Sequence, residues 1–128
     1  MAGYNANIEE LTLANSNFRQ VLFTGKYAQL VLMSLKPGEE IGMETHPSVD
    51  QFFRFEKGAG KVIIDGEEYI VGNGSAIVVP AGSQHNVINT STTEDLKLYT
   101  IYSPPNHPDG IIHATKAEAG AAEKEHTS

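Results

Sequence analysis

Turn signals recur at short intervals along the chain: Pro37-Gly38, Gly58-Ala59-Gly60, Asp65-Gly66, Gly72-Asn73-Gly74, Pro80-Ala81-Gly82 and Pro104-Pro105. The runs between them are rich in β-branched and aromatic residues. They predict strands over 20–23, 29–35, 40–46, 51–56, 61–64, 67–71, 75–79, 85–89 and 96–102. Short strands at this spacing build an all-β sandwich or barrel. Asp65-Gly66 is the sharpest single signal. Set between Lys61–Ile64 and Glu67–Val71, it fits a type I′ hairpin, whose two central residues both need positive φ.

The ends read differently. Ile8, Leu11 and Leu13 follow Asn7 as a short capped helix. Residues 114–124 are rich in Ala, Glu and Lys and predict a second short helix, with fraying expected over the last four residues. There is no internal repeat beyond the hairpin rhythm.

Composition excludes several functions. Nine Lys and Arg against 16 Asp and Glu give a net charge of −7. An acidic surface argues against a nucleic-acid partner bound through phosphates and against a polybasic membrane contact. The longest apolar runs, Leu30–Met33 and Ala76–Val79, are four residues long, far below a bilayer span. The first residues lack a basic and then apolar leader, so the expected location is cytoplasmic. Cysteine is absent, which removes disulfides, thiolate metal sites and Cys nucleophiles. Neither a P-loop, a Gly-x-Gly-x-x-Gly fingerprint nor a Gly-x-Ser-x-Gly elbow is present, so nucleotide and serine-hydrolase chemistry have no support.

Chemistry therefore rests on five histidines, at 46, 85, 107, 113 and 126, and their neighbours. Glu44 and His46 are two apart and share a face if extended. Gln51 opens the next apolar strand, and His85 opens another just after Pro80-Ala81-Gly82.

These stretches resemble the two motifs of the cupin superfamily. The first family motif is Gly, five residues, His-x-His, three or four residues, Glu, six residues, Gly. Here Gly38, Glu44, His46, Gln51 and Gly58 keep that spacing, with Glu44 in place of a His and Gln51 in place of the Glu. The second motif is Gly, five residues, Pro-x-Gly-x-x-His, three residues, Asn. Gly74, Pro80, Gly82, His85 and Asn89 match it at every position. The neighbourhood also looks like small single-domain bacterial cupins often labelled mannose-6-phosphate-isomerase-like. The resemblance covers about residues 20–103. It implies one domain over 1–128, with a conserved-barrel core at 20–103, an N-terminal arm at 1–19, and a C-terminal loop and tail at 104–128.

The resemblance implies a double-stranded β-helix, a jelly-roll barrel, with the site inside. It implies that Glu44, His46, Gln51 and His85 converge as metal ligands. Two imidazoles, a carboxylate and an amide oxygen suit one divalent transition ion: Mn, Fe, Co, Ni or Zn. The alternative is a metal-free barrel in which the four form a buried hydrogen-bond network. Parity then places Phe53 and Phe55 inward with Gln51, Val87 and Asn89 inward with His85, and Leu98, Thr100 and Tyr102 inward on the last strand. Lys97, Phe52 and Ile63 face out, and apolar residues on the outside predict a homodimer. Asp50 has the wrong parity for a ligand.

The expected function is a metal-dependent enzyme, an isomerase or epimerase acting on a small sugar-like or hydroxy-carbonyl compound. Tyr102 or His107 would move protons. The alternatives are a non-catalytic metal- or ligand-binding cupin and an Fe-dependent dioxygenase, whose ligands are two His and one carboxylate. His107 lies in the proline-restrained loop from Pro104 to Gly110. That loop either crosses the barrel mouth, where His107 acts, or runs down the outside, where it is inert.

Overall fold

A computed structural model describes residues 2–127, with side chains through residue 122. The side chain of His126 and all of Ser128 lie outside the described residues; where fraying is expected over the last four residues, the C-terminal helix runs on through Thr127. Nine strands run in chain order: β1 (Arg19–Thr24), β2 (Gln29–Leu35), β3 (Asp50–Lys57), β4 (Gly60–Ile64), β5 (Glu67–Val71), β6 (Ala76–Val79), β7 (His85–Asn89), β8 (Leu96–Ser103) and β9 (Ile112–His113). Helices α1 (Ile8–Ala14) and α2 (Lys116–Thr127) flank them. All pairings are antiparallel. One sheet has the order β6-β3-β8-β2-β1-β9 and the other β5-β4-β7, the two walls of a jelly-roll barrel.

Local chemistry sets these elements. The side chain of Asn7 accepts from the Glu10 N–H at 3.1 Å and starts α1, as its cap position predicts. Asp65 and Gly66 take φ of 47° and 87°, the left-handed pair of the expected hairpin turn. Alternation fills the interior: Phe53, Phe55, Val62, Val87 and Leu98 are fully buried around one core. Gln51, Asn89, Thr100 and Tyr102 point into it as parity requires. Among the described residues, no helix is long and apolar enough to cross a membrane.

Three readings need correction. The strand expected over 40–46 does not form. That segment pairs with the second sheet through two isolated bridges, Glu40 with Ile88 and Glu44 with His85. Gly42, at φ 109°, breaks it and donates its N–H to the Asn86 side chain at 2.9 Å. Second, the short strand β9 lies in a stretch read as loop and pairs with Arg19 and Gln20. Third, Lys97 is on the outer face but half-buried, with its ammonium on the Asn15 carbonyl.

Candidate metal centre

Backbone pairing brings the two motifs together. Glu44 and His85 exchange hydrogen bonds, Glu44 N–H to His85 oxygen at 2.8 Å and the reverse at 2.9 Å. The Gly82 N–H donates to the His46 carbonyl at 2.9 Å. Gly82 has φ 89°, which is why a glycine follows Pro80 in this turn. Asn89, the last residue of the second motif, shares its side-chain amide among the carbonyls of Leu35, Lys36 and Glu94 and ties the barrel shut beneath the site.

Glu44, His46 and His85 each offer one ligand atom, and these atoms all lie within 4.8 Å of one another. The His46 Nε2 sits 2.8 Å from a Glu44 carboxylate oxygen. The His85 Nδ1 is 3.1 Å from the Ser83 carbonyl. A carbonyl only accepts, so that nitrogen carries the proton and Nε2 keeps a lone pair for a metal. Rings wall the cluster: Phe53 meets His85 edge-on at 6.2 Å and Tyr102 meets His46 edge-on at 6.0 Å between centroids.

Gln51 completes the fit. Its amide nitrogen donates to the Thr100 hydroxyl at 3.0 Å. Its Oε1 is a buried acceptor without a hydrogen-bond partner. Such an atom is costly to leave unmet, and a cation beside it removes the cost. Two imidazoles, one carboxylate and this oxygen fit a divalent transition ion. Burial acts to raise the Glu44 pKa. The hydrogen bond from His46 and the charges of His46, Arg19 and His85 outweigh it, and the net shift is downward, toward the anion a metal needs.

The loop from Pro104 to Gly110 takes the course across the mouth. Buried Gln29 holds it: its Oε1 accepts from the Asn106 and His107 N–H groups, and its Nε2 donates to the His107 carbonyl. The His107 ring then packs edge-on against Tyr102 at 5.0 Å, with Nε2 3.2 Å from the phenol oxygen. His107 does not titrate at its ordinary position. Burial, then the charge of Arg19, push its pKa down to about 3 against the opposing pull of Glu44. It is neutral at physiological pH. Asp50 stays outside, accepting from the Ala81 N–H at 2.8 Å.

One interior residue escaped the sequence reading. Arg19 is only 2% exposed, and the register sets it opposite Met33 on one side and His113 on the other. Its charge acts on both Glu44 and His107. Strand parity with buried Val21 carries the signal, but the expected strand began one residue too late to include it.

A family model described as "Cupin domain" matches residues 31–102. YrkC of Bacillus subtilis (strain 168) is 54% identical over 123 residues, covering 91% of this chain. The chain spans 66% of the length of YrkC, just under two thirds. L612 of Acanthamoeba polyphaga mimivirus is 45% identical over 123 residues, covering 93% of this chain and 76% of that protein. The crystal structure of BH2720 from Bacillus halodurans superposes with a TM-score of 0.91 at 45% identity, covering 94% of this chain and 95% of the other.

Proposed function

The chain belongs to the cupin family, and from that premise we propose that it is a metal-dependent enzyme, an isomerase or epimerase of a small sugar-like or hydroxy-carbonyl compound. The resemblance to mannose-6-phosphate-isomerase-like cupins points the same way. One observation carries the reading: a neutral imidazole, His107, sits 3.2 Å from the Tyr102 hydroxyl over the Glu44, His46 and His85 cluster.

Glu44, His46, His85 and Gln51 would hold the ion. A divalent ion there supplies Lewis acidity toward a carbonyl or hydroxyl. The protein's own groups do the rest. Tyr102 would donate or relay a proton at its hydroxyl, with the His107 ring nitrogen as its partner; at a pKa of about 3 that imidazole accepts a proton near neutral pH only where developing negative charge beside it draws the pKa up. The Gln29-anchored loop keeps His107 in place against Tyr102. Isomerisation needs this kind of partner, because a proton must leave one carbon and return to its neighbour.

A second reading, an Fe-dependent dioxygenase, is favoured by one feature: Glu44, His46 and His85 are the two-His, one-carboxylate set. Elemental analysis of untagged protein separates the two by naming the ion. Incubation with small aldoses and ketoses in D₂O then reads proton transfer directly as deuterium entering the substrate. The isomerase reading expects that exchange, and expects His107→Ala to slow it about a hundredfold or more with metal content unchanged. A metal-bound protein that exchanges no proton on any such compound is a binding cupin instead. Cytoplasmic location and assembly as a homodimer belong to the same proposal.

A further inference from the structure

The strand register sorts the barrel interior into rows. Gln51, Tyr102 and Gln29 lie side by side across β3, β8 and β2, and His85 opens β7 opposite Ile64. This is the row of the candidate centre, at the end of the barrel that the Pro104–Gly110 loop crosses. One pleat deeper come Phe53, Thr100 and Val31 on the larger sheet and Val62 with Val87 on the smaller. Residues two apart are separated by about 7 Å along a strand, so the deeper row begins within one side chain of the cluster.

That row is a solid floor. All five of its residues are fully buried, with no accessible surface. A side chain with no accessible surface borders no void that could hold even a water molecule. Phe53 is the largest of the five. Its ring meets His85 edge-on at 6.2 Å, and the Phe55 ring stacks on it at 6.3 Å, which leaves it no room to swing away. On the other side of the cluster, the loop held by Gln29 sets His107 against Tyr102. The surface that the cluster keeps belongs to Glu44 and His46, whose side chains are 25% and 17% exposed. A ligand reaching the centre therefore comes in over Glu44 and His46 and meets the Phe53 floor below and the loop above. We propose that Phe53 is the specificity-determining residue of this site: it closes the barrel one row below the cluster and restricts the ligand to a compact one, a short-chain hydroxy-carbonyl compound and not a sugar in ring form. This inference rests on the metal-site reading above and narrows its substrate class. A close-packed row does not yield to a bulky group without displacing its neighbours.

The test uses the full chain loaded with Co(II), whose visible bands report a ligand entering the coordination sphere, titrated with acetohydroxamate and benzohydroxamate. The two probes carry the same pair of oxygen donors and differ by a methyl against a phenyl group. Wild type is expected to bind acetohydroxamate about tenfold or more tightly than benzohydroxamate, and Phe53→Ala to shift that ratio toward benzohydroxamate by about tenfold or more. Cobalt stoichiometry should not change, since Phe53 offers no ligand atom. Equal binding of both probes by wild type overturns the proposal, as does an unchanged ratio in the variant. If Phe53→Ala fails to fold, Phe53→Leu must move the ratio in the same direction, and a ratio that stays put overturns the proposal. A second measurement needs no metal. Benzene should enter the space that Phe53→Ala opens and shift the His85 ring resonances, and leave them unmoved in wild type. Benzene that leaves His85 unmoved in the variant overturns the proposal. Wild-type protein that takes up no cobalt refutes the metal reading, and the benzene titration then decides by itself whether Phe53 closes the space beside His85.

Discussion

Gln29 and His107 stand 78 positions apart in the chain and meet as an amide pair, the Gln29 Nε2 donating to the His107 carbonyl at 2.8 Å and the Gln29 Oε1 accepting from the His107 N–H at 3.0 Å. A side chain here does what a strand neighbour would do for a loop that has none. It satisfies both backbone groups of the residue that closes the barrel mouth.

Replacing Gln29 with Leu removes those bonds and leaves buried polar groups behind. A buried backbone group without a partner costs about 1–3 kcal/mol. The variant should lose about 2–4 kcal/mol in a urea titration. Amide exchange at Asn106 and His107 should speed up, because their acceptor is gone. Metal binding should persist, since Gln29 is not in the cluster. Protected amides at 106 and 107 in this variant would show that the loop is held by something else.

Gln51 offers a sharper test of the ion site. As a ligand, its unmet Oε1 would be neutral where the family motif has a carboxylate. Gln51→Glu adds a second anion next to the cation and should tighten divalent binding about tenfold or more, by analogy with ligand-charge tuning in other oxygen sites. Gln51→Leu should weaken it by a similar factor; it removes an orphaned buried acceptor but also the donor to the buried Thr100 hydroxyl, so it should cost about 1–3 kcal/mol of stability. A chelator competition measures both. Glu and Leu variants that bind the ion as the wild type does would take Gln51 out of the ligand set.

The barrel was legible in the sequence because its signals are local. Asp65-Gly66 fixes a hairpin by φ alone, and Gly74 to Asn89 fixes a turn by residue type and spacing. What was not legible depends on non-local pairing. The segment from Glu40 to His46 alternates like a strand, yet Gly42 diverts it, and it pairs with the smaller sheet through separate bridges, Glu40 with Ile88 and Glu44 with His85. Bulges also defeat parity. Val21 pairs with Val31 inside, but the register slips before Phe23, which pairs with partly exposed Leu30, and Thr24 returns to the Gln29 row. The meeting of Glu44, His46 and His85 followed from motif spacing. Arg19 and the Gln29 clamp did not, since each functions through residues many positions away.

The buried, neutral His107 makes stability depend on pH with a defined sign. Its pKa is about 3 in the folded protein and near 6.5 as an unperturbed imidazole. Between those values the unfolded chain binds the proton and the folded chain does not. Stability is therefore full above about pH 6.5 and falls as pH drops toward 3, by at most about 1.4 kcal/mol per pH unit. Glu44, with its pKa lowered below 4.5, adds a loss in the same direction at more acid pH. The window from pH 6.5 to 4.5 separates the His107 contribution from that of Glu44. Denaturant midpoints across it should slope in the wild type and flatten in His107→Gln. An unchanged slope in that variant assigns the effect to other groups.

The proposed homodimer has a surface to explain it. Across the outside of the larger sheet, Val78 pairs with Phe52, Phe52 with Ile101, and Ile101 with Leu30. This line of apolar side chains crosses four strands, and Val78 at its end is 63% exposed. Sheet faces of this kind are covered in solution when a partner is present. A second copy supplies the same stripe, which a two-fold axis brings onto itself. Ile63, on the smaller sheet, is partly covered and contributes little. Sedimentation at micromolar concentration should give twice the mass of one chain. Phe52→Glu should move it to one chain, because a carboxylate in the middle of the stripe would lose its water on pairing. Metal content should not change, as Phe52 points away from the Glu44 cluster. A wild type that sediments as a single chain at that concentration removes the dimer, and a Phe52→Glu variant that stays dimeric moves the interface to another face.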